Sequence, residues 1–485
     1  MGKELLTDNP QLRTPLADAL EQMLKEDYLP FDVPGHKANI GRLADFFGER
    51  CLSLDFNSRK AIDNLNQPDG VIAEAEALAA ETFKACHAFF MIGGTTSAVQ
   101  AMIMSTCSQG DKIILPRNVH VSVLNAVILS GAVPVYLNPG IHESLGISLG
   151  TDTRDVEACI RLNTDAKAVF VNNPTYYGVC SDLREIVRIS HSYGIPVLVD
   201  EAHGAHFYFS NQLPPSAMEC GADMAAVSMH KTGGSLTQSS ILLTGENVNA
   251  EHVRSIVNLS QTTSASYLLM ASLDIARQNL VSLGEKEQER VILLAEYARK
   301  CINEIDGYYA FAEDITDNIY VHNFDKTKLC INSTGLGMAG IELYSILRDK
   351  YKIQVEFGDV NNILAVITIG DSEYSIQRLV DALADIAKTK IENEFLQFRY
   401  EYIEPIIKLS PRKAYYMQYE SVEIDKCLGR VSRDFVMCYP PGVPLLAPGE
   451  LITEKVLSHI KYASQKGCRI TGLSVDKKNN IKVVI

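Results

Sequence analysis

Seven short apolar runs, most of them separated by stretches with helical spacing, occupy the middle of the chain. The runs are "HAFFMI", "KIILP", "VPVYL", "AVFVNN", "PVLVDEAH", "MAAVSMH" and "SSILLTG". Residues 97–107 and 183–193 are two of the intervening stretches that fit helices. Continuous apolar strands that alternate with helices are typical of a mostly parallel sheet covered on both faces. The pattern therefore predicts an α/β fold in which ligands bind near the carboxyl ends of the strands.

Changes in this pattern predict four segments. Residues 1–30 form an N-terminal helical segment, with a helix near 14–25, and residues 31–285 form a large domain that contains the seven runs. A long amphipathic helix and a smaller strand–helix alternation then predict a second α/β domain over residues 286–392. Residues 393–485 include "FVMCYPPGVPLLAPGE", whose prolines exclude a regular helix. We expect this C-terminal domain to be an ordered cap with short strands.

Composition and charge argue against several classes of partner. The formal net charge of -14 is unfavourable for nucleic acid or an anionic membrane surface, because both favour a basic patch. The 11 cysteines include no C-x-x-C pair, and we expect no bound metal. Scattered thiols indicate a reducing compartment, and we find no secretory h-region and no apolar run of membrane-spanning length. The sequence thus predicts a cytoplasmic protein.

A lysine at the end of a strand is the first candidate for chemistry. Lys231 directly follows the run "AVSMH" and precedes Gly233 and Gly234. The glycines let the backbone come close to a ligand, and Ser228 and His230 add polar groups that can reach an anion. A strand-end lysine is usually a solvated charge, but this context favours one that forms a Schiff base with pyridoxal phosphate.

An acidic side chain and two histidines follow the preceding strand. Asp200 ends the run "PVLVD" and could keep the pyridine nitrogen of that cofactor protonated, although alone it would be interpreted as a helix cap. His203 is a candidate for a hydrogen bond to the cofactor's phenolic oxygen. His206 is expected to be only a structural neighbour.

Two further segments complete the candidate cofactor site. "FFMIGGTTSAVQ" places glycines and hydroxyls between a strand and a helix, whose N-terminal N–H groups can bind phosphate. Thr95, Thr96 and Ser97 are the candidate hydroxyl donors. The segment is neither G-x-G-x-x-G nor a Walker A sequence, so neither a dinucleotide nor ATP is favoured. His120 follows another strand and is either a ring-stacking residue or a core histidine.

A set of motifs covers nearly the whole chain. They are "PGHK", "PRNVH", "NPTYYG", "VDEAHGAH", "SMHKTGGSLTQSS", "QTTSASYLLMASLD" and "YPPGVPLLAPGE". In this order they resemble the Orn/Lys/Arg decarboxylase family of fold-type I pyridoxal-phosphate enzymes, in particular its shorter bacterial arginine decarboxylases. The lysine motif and the C-terminal motif are the most specific.

The resemblance implies an aspartate aminotransferase-like large domain with a mostly parallel seven-stranded sheet. It implies the Schiff base on Lys231, the pyridinium partner on Asp200 and the ring-stacking imidazole on His120. It also implies a homodimer or higher homo-oligomer with shared active sites, since the stretch around Thr262 and Thr263 resembles one that reaches the neighbouring subunit's cofactor phosphate. Phosphate contacts within the subunit are implied for Thr95, Thr96, Ser228 and His230.

The resemblance further implies decarboxylation of a basic L-amino acid in polyamine metabolism. Arginine, which would give agmatine, is the preferred substrate, with lysine and ornithine as alternatives. Asp63 and Glu450 are candidates for binding the cationic end of the substrate. In one segment the chain departs from the family, because it reads "IDNLNQPDGVI" where relatives carry a stretch like "LDDLHxPxGVI". Asn64 and Asn66 replace an Asp and a His there, and they bear on substrate choice if this segment borders the active site.

Two other functions fit part of the pattern. An Asp-Glu-Ala-His stretch also occurs in α-oxoamine synthases, so transamination, oxoamine synthesis or oxidation with the same cofactor is an alternative. A catalytically silent regulatory paralogue is another. The intact lysine, aspartate and phosphate motifs argue against it.

Overall fold

The structure, a computed structural model, describes residues 9–26, 28–38, 41–388, 402–439, 443–465, 468–473 and 479–485. Its helices within these ranges are α1 (Pro15–Lys25), α2 (Gly41–Phe47), α3 (Glu49–Ser53), α4 (Val71–Thr82), α5 (Gly94–Thr106), α6 (Val121–Ser130), α7 (Thr153–Leu162), α8 (Leu183–Ser192), α9 (Ala250–Ser260), α10 (Tyr267–Asn303), α11 (Gly340–Asp349), α12 (Glu373–Ala387), α13 (Pro411–Tyr416) and α14 (Glu454–Gln465).

The strands within the same ranges are β1 (His87–Met91), β2 (Lys112–Pro116), β3 (Val133–Leu137), β4 (Ile141–His142), β5 (Ile147–Ser148), β6 (Ala168–Asn172), β7 (Val179–Cys180), β8 (Val197–Glu201), β9 (Met224–Val227), β10 (Ser240–Thr244), β11 (Tyr309–Phe311), β12 (Asn323–Phe324), β13 (Lys328–Asn332), β14 (Phe357–Gly358), β15 (Asn362–Val366), β16 (Tyr419–Glu423), β17 (Val436–Tyr439), β18 (Val443–Leu446), β19 (Arg469–Thr471) and β20 (Asn480–Val484).

The predicted seven-stranded sheet is present, in the order β1-β10-β9-β8-β6-β2-β3. Strand β2 is parallel to β3 and β6, and β8 is parallel to β9. Strand β10 is antiparallel to both β9 and β1. All seven apolar runs therefore supply strands of one mixed, mostly parallel sheet, which confirms the predicted fold class.

The chain divides into two compact units. The first contains Met1–Ser105, Leu198–Asn211 and Pro215–Gln288, and the second contains Thr106–Val197, Gln212–Pro214 and Glu289–Ile485. The finer division into four segments stays a prediction. Every helix in the described ranges is too short or too polar to cross a lipid bilayer.

In the first unit, the predicted N-terminal helix is α1, and buried charges anchor the segment that carries it. Asp274 and Arg277 form a fully buried ion pair on α10, with 3.1 Å between Oδ1 and Nη2. The second oxygen of Asp274 accepts a hydrogen bond from the backbone N–H of Leu16 at 3.0 Å, and Arg277 donates to the carbonyl of Gln11. These bonds satisfy backbone groups before and at the start of α1, where a helix has no partners of its own.

Side chains also complete the edge of the sheet in this unit. Strand β1 is the last strand on one side, so one row of its backbone groups has no neighbouring strand. The N–H of Phe90 donates to Glu76 Oε1 at 2.9 Å. Gln261 accepts a hydrogen bond from the N–H of Ile92 at 3.1 Å and donates to the carbonyl of Phe90 at 3.2 Å. These side chains hold β1 up to the point where the candidate phosphate loop begins.

The second unit contains a separate antiparallel sheet in the order β11-β13-β15-β14. Apolar side chains from its strands and from α11 and α12 form one buried cluster. Short strands occur near the C-terminus, as predicted, in the pairs β16–β20, β17–β18 and β17–β19.

The predicted long amphipathic helix is present. It is the part of α10 that follows Gly284, and α10 as a whole begins earlier, at Tyr267. Gly284 lies inside α10 with a non-helical backbone (φ 62, ψ -163), so the helix is kinked there. The sequence pattern detected the part after the kink because its charged and apolar residues alternate more clearly.

Candidate active site

Lys231 lies in a single π-helical turn, Met229–Gly233, that directly follows β9. Turns of this kind occur often at functional sites. Gly234 ends the turn with φ +84°, a conformation that favours glycine, and a Cβ on Gly233 would lie 2.9 Å from the flexible Met229 methyl group. The lysine Nζ lies 2.9 Å from Nε2 of His203.

Asp200 lies near the carboxyl end of β8, the neighbouring strand. Strands β8 and β9 are parallel and place Asp200 beside Ala226, so the segments after both strands leave the sheet at the same edge. The Asp200 and His203 side chains are buried. One Asp200 oxygen accepts a hydrogen bond from the backbone N–H of Ala202 at 3.1 Å. The structure thus brings Lys231 and His203 together and places Asp200 at the same edge of the sheet.

His206 follows on the same segment and is also buried. Its ring lies 4.9 Å from the ring of Phe207. This packing fits the structural role expected for His206.

The candidate phosphate loop lies between β1 and α5. Gly94 has φ +74°, and a Cβ on Gly93 would lie 2.6 Å from Ser97 Oγ, so a side chain at either position would be strained or would clash. The Ser97 hydroxyl donates to the carbonyl of Gly94 at 2.9 Å, whereas Thr96 is exposed. This leaves a narrow glycine loop in front of the N-terminus of a 13-residue helix.

Thr95 connects that loop with the lysine strand. Its hydroxyl lies 2.5 Å from the Ser240 hydroxyl, which in turn donates to the carbonyl of Val227 at 2.9 Å. Val227 is the last residue of β9, four positions before Lys231. The predicted phosphate donor and the predicted cofactor lysine therefore belong to one connected part of the first unit.

His230 and Ser228 flank the lysine. Nδ1 of His230 lies 3.1 Å from both the Ser228 hydroxyl and the carbonyl oxygen of Ser239. Because a carbonyl only accepts, this contact assigns the hydrogen to Nδ1 and leaves Nε2 as the basic nitrogen. Ser228 is fully buried, and His230 is half-buried.

Two glutamines that the sequence analysis missed hold the start of the phosphate loop. Gln238 donates to the carbonyl of Ile92 at 2.8 Å, and Gln261 accepts from the N–H of the same residue at 3.1 Å. The separations along the chain are 146 and 169 residues, so no local pattern could reveal the contacts. The one available signal was that both glutamines lie within conspicuous motifs.

Thr262 and Thr263 directly follow Gln261 and are exposed. The Thr262 hydroxyl accepts a hydrogen bond from the backbone N–H of Ser264 at 3.1 Å. Within one subunit, therefore, the segment presents its hydroxyls at the surface.

His120 belongs to the second unit, where it precedes α6. Its Nδ1 accepts a hydrogen bond from the backbone N–H of Ser122 at 3.2 Å and lies 2.8 Å from the Ser122 hydroxyl. The imidazole is half-buried and caps the helix. Ring stacking by His120 stays a prediction.

Asp63 organises its own loop. Its carboxylate accepts hydrogen bonds from five backbone N–H groups, at 2.7 to 3.4 Å, which belong to Asn64, Asp69, Gly70, Ile72 and Ala73. Burial raises the pKa of Asp63, but these N–H groups together outweigh burial and lower it below its ordinary value. A substrate contact by Asp63 stays a prediction.

The two family departures lie in the same loop. The Asn64 side-chain oxygen accepts a hydrogen bond from the N–H of Asn66 at 2.9 Å, and the Asn66 side chain donates to Asn258 at 3.5 Å. Both replaced side chains thus make structural contacts.

Glu450, the second candidate for the cationic end of the substrate, is in the second unit. It is buried and forms an ion pair with Arg117, with 2.9 Å between Oε2 and Nη2. The same oxygen accepts a hydrogen bond from the N–H of Ala447 at 2.8 Å. A buried carboxylate that already has a guanidinium partner is poorly placed to bind a second cation, and its substrate role stays a prediction.

The arrangement defines a class of protein. The α/β fold holds a lysine beside an imidazole, a buried carboxylate at the same sheet edge and a glycine loop before a helix, an arrangement typical of an enzyme site. The chain belongs to the Orn/Lys/Arg decarboxylase family. The description "Orn/Lys/Arg decarboxylase, major domain" matches residues 14–375, and that of the family's C-terminal domain matches residues 394–477.

Individual proteins agree with this assignment. The chain is 44% identical over 470 residues to an arginine decarboxylase of Bacillus anthracis, covering 95% of each protein. It is 41% identical to an arginine decarboxylase of Bacillus subtilis, covering 98% of each. Lysine decarboxylase A from Pseudomonas aeruginosa superposes with a TM-score of 0.84 at 19% identity, over 98% of this chain and 81% of that one. These findings confirm the predicted family and fold, and with them an amino acid decarboxylase.

Proposed function

We propose that the protein decarboxylates L-arginine to agmatine with pyridoxal 5'-phosphate as its cofactor. The observation that carries the proposal is the 2.9 Å contact between Lys231 Nζ and His203 Nε2 at the sheet edge where Asp200 lies. Arginine is preferred to lysine and ornithine because the relatives at 41 to 45% identity are named arginine decarboxylases.

The described residues fit this cofactor. A side chain at Gly93 would clash with Ser97, and one at Gly94 would be strained by its positive φ. The loop leads into the N-terminus of α5, where backbone N–H groups and Thr95 can hold a phosphate. Lys231 would link to the cofactor covalently, Asp200 would hold its ring nitrogen and His120 would stack on the ring. When bound, the cofactor supplies the electron sink for loss of carbon dioxide.

The side chains would divide the remaining tasks. The Asp200 carboxylate, in a partly desolvated position, stabilises a proton on the ring nitrogen by opposite-charge attraction. His203 Nε2 lies within hydrogen-bond distance of Lys231 Nζ and would orient that nitrogen toward the cofactor. Lys231, or His230 after its Nε2 has taken up a proton, would return a proton to the substrate's Cα after carbon dioxide leaves.

Product analysis tests the reaction and the substrate together. Holoenzyme is incubated separately with L-arginine, L-lysine and L-ornithine, and the products are identified by mass. We expect agmatine, with a kcat/KM for arginine at least about tenfold above the other two, since a site built for a guanidinium leaves groups unpaired with a shorter amine. Lys231→Ala serves as the control and should give no product.

Other products would overturn specific parts of the proposal. Cadaverine or putrescine as the fastest product would replace the substrate and keep the reaction. A keto acid would replace the reaction itself in favour of transamination or oxidation.

We further propose a homodimer whose active sites are shared through the segment around Thr262 and Thr263. Both threonines are exposed, although Gln261 just before them is buried and fixed to β1. A rigidly held segment that presents hydroxyls outward is suited to a phosphate held by another subunit.

Hybrid dimers test this sharing. Lys231→Ala and Thr263→Asp are each expected to be nearly inactive, the second because its carboxylate repels the phosphate. In a mixed dimer, one site combines the native Lys231 of one subunit with the native Thr263 of the other. An equal mixture after subunit exchange should therefore recover up to about one quarter of native activity, as random pairing in a twofold dimer requires.

The matched control pairs Lys231→Ala with Asp200→Asn. Both residues serve the same subunit's site, so no hybrid site is intact and no recovery is expected. Recovery in the control as well, or none in the Thr263→Asp mixture despite proven hybrids, would contradict shared sites.

A further inference from the structure

Glu201 is a fully buried carboxyl group that the reaction does not use. It is the last residue of β8 and directly follows Asp200. One oxygen, Oε1, accepts a hydrogen bond from the backbone N–H of Ala217 at 2.7 Å. The other, Oε2, lies 2.6 Å from the hydroxyl of Tyr208. Glu201 thus joins the end of the strand to two points further along the chain.

The surroundings of Glu201 disfavour a negative charge. The groups that face it are the Tyr208 phenol, the Ala217 N–H and the carboxyl groups of Asp200 and Glu219. Within the described residues no ion pair includes Glu201, and the Lys84 ammonium pairs with Glu219 instead. A buried carboxylate without a cation is costly, so burial raises the pKa of Glu201 to about 8.

The hydrogen bonds accommodate the uncharged form after one hydroxyl turns. Tyr208 donates to Oε2 and the Ala217 N–H donates to Oε1; once a proton lies on Oε2 it can be donated to the Tyr208 oxygen, and the phenol proton then turns toward the Ser216 hydroxyl. Tyr208 is itself held in place, since its ring meets the edge of the Phe83 ring with 4.9 Å between centroids. A glutamine would make the same two bonds, with its amide nitrogen as the donor.

We propose that Glu201 is a positioning residue that acts as an uncharged carboxyl group and fixes Asp200 and His203 at the end of β8. We call the two hydrogen bonds of Glu201, with Tyr208 and Ala217, the Glu201 bridge. Asp200 is the residue before Glu201, and His203 lies between Glu201 and Tyr208 in the chain. Strand β8 and the Glu201 bridge therefore restrain both residues. An uncharged Glu201 also avoids a second negative charge directly next to Asp200. The catalytic consequence rests on the proposed function, whereas the bridge itself does not.

Thermal unfolding of the apoprotein tests the charge state without any reference to activity. The unfolded chain has Glu201 at its ordinary pKa of 4.5, so between pH 4.5 and about 8 the folded state binds a proton that the unfolded state has released. The contribution of Glu201 to stability is therefore lost as the pH rises through this window. Glu201→Gln removes that loss, and its Tm relative to the native protein should rise steadily from pH 5 to pH 8.

Asp165→Asn is the control. The hydrogen bond from Lys112 holds the pKa of this exposed carboxylate below its ordinary value. Asp165 is thus charged in both folded and unfolded states above pH 5, and its replacement should change Tm by the same amount across the window. A flat Tm difference for Glu201→Gln as well would show a charged Glu201 and overturn the proposal.

Holoenzyme kinetics test the positioning. Glu201→Gln should keep most of kcat at pH 7 and decline less than the native enzyme above pH 8, where native Glu201 ionises beside Asp200. Glu201→Asp keeps an acid but cannot span both partners, and kcat should fall about ten- to a hundredfold with KM changed much less. Near-native kcat in Glu201→Asp would show that the bridge positions nothing.

Tyr208→Phe provides a second measurement if the Glu201 variants do not fold. It removes one hydroxyl and leaves the ring packed on Phe83. Loss of the partner destabilises the bridge, so kcat should fall several-fold, and the visible absorption of the bound cofactor should change because Asp200 is the proposed partner of its ring nitrogen. An unchanged kcat and spectrum would overturn the proposal by a route that does not depend on Glu201.

Discussion

Lys231→Ala is expected to abolish turnover, lowering kcat by about four to six powers of ten, or about 5 to 8 kcal/mol at 1.36 kcal/mol per tenfold. The lysine is the proposed covalent attachment and a proposed proton donor, so its removal affects two steps at once. The fold should survive, because the side chain is only partly buried and its turn is fixed by Gly233 and Gly234. Stopped assays with purified holoenzyme and circular dichroism measure the two results.

Direct chemical evidence should identify the same residue. The native protein with cofactor should be yellow, and borohydride should remove the visible band while fixing the cofactor to the chain. Peptide mapping is then expected to find the adduct on Lys231. Lys328 offers a comparison, since it is fully buried in an ion pair with Asp325 in the second unit and should carry no adduct. An adduct on any lysine other than Lys231 would refute the site.

The sheet and the lysine site could be predicted because their signals are local. Each strand of the seven-stranded sheet has four or five residues and lies within one of the apolar runs. Polar or glycine-containing turns bound these runs. Asp200 lies near the end of β8, and Lys231 and Thr95 follow β9 and β1. Because β8 and β9 are parallel, their carboxyl ends lie at the same edge of the sheet. Local sequence therefore sufficed to group these residues.

The supporting contacts could not be predicted in the same way. The Gln261 side chain accepts a hydrogen bond from the N–H of Ile92, next to the edge strand β1. The Glu201 side chain at the end of β8 makes hydrogen bonds with Tyr208 and Ala217, which lie further along the chain. A glutamine or glutamate in a sequence is most often a solvated side chain, and only the packed structure shows which ones are buried.

The substrate side of the site illustrates a different limit. Asp63 and Glu450 were chosen as carboxylates within family motifs, and sequence could not show that backbone N–H groups and Arg117 already engage them. Glu450 Oε1 is buried without a hydrogen-bond partner among the described residues, whereas Oε2 binds Arg117. Only the packed structure distinguishes the two oxygens of such a carboxylate.

Asp200→Asn is expected to lower kcat by about two to four powers of ten, roughly 3 to 5 kcal/mol at 1.36 kcal/mol per tenfold. The substitution keeps the shape of the side chain and removes its charge, so the ring nitrogen loses the partner that stabilises its proton. Only the protonated ring withdraws electrons strongly as carbon dioxide leaves, which makes the loss larger in the transition state than in the bound substrate. KM should change much less, and the visible band of the bound cofactor should persist.

Two companion variants separate the charge of Asp200 from its place in the fold. Asp200→Glu keeps the charge but moves it by one methylene, and it should be impaired as well because β8 and the Glu201 bridge hold the backbone in place. Asp165→Asn, a change at an exposed carboxylate that pairs with Lys112, should leave turnover near the native value. If Asp200→Asn retains near-native kcat with its cofactor bound, then Asp200 only caps the segment after β8 through the N–H of Ala202. The ring nitrogen would in that case have to lie elsewhere.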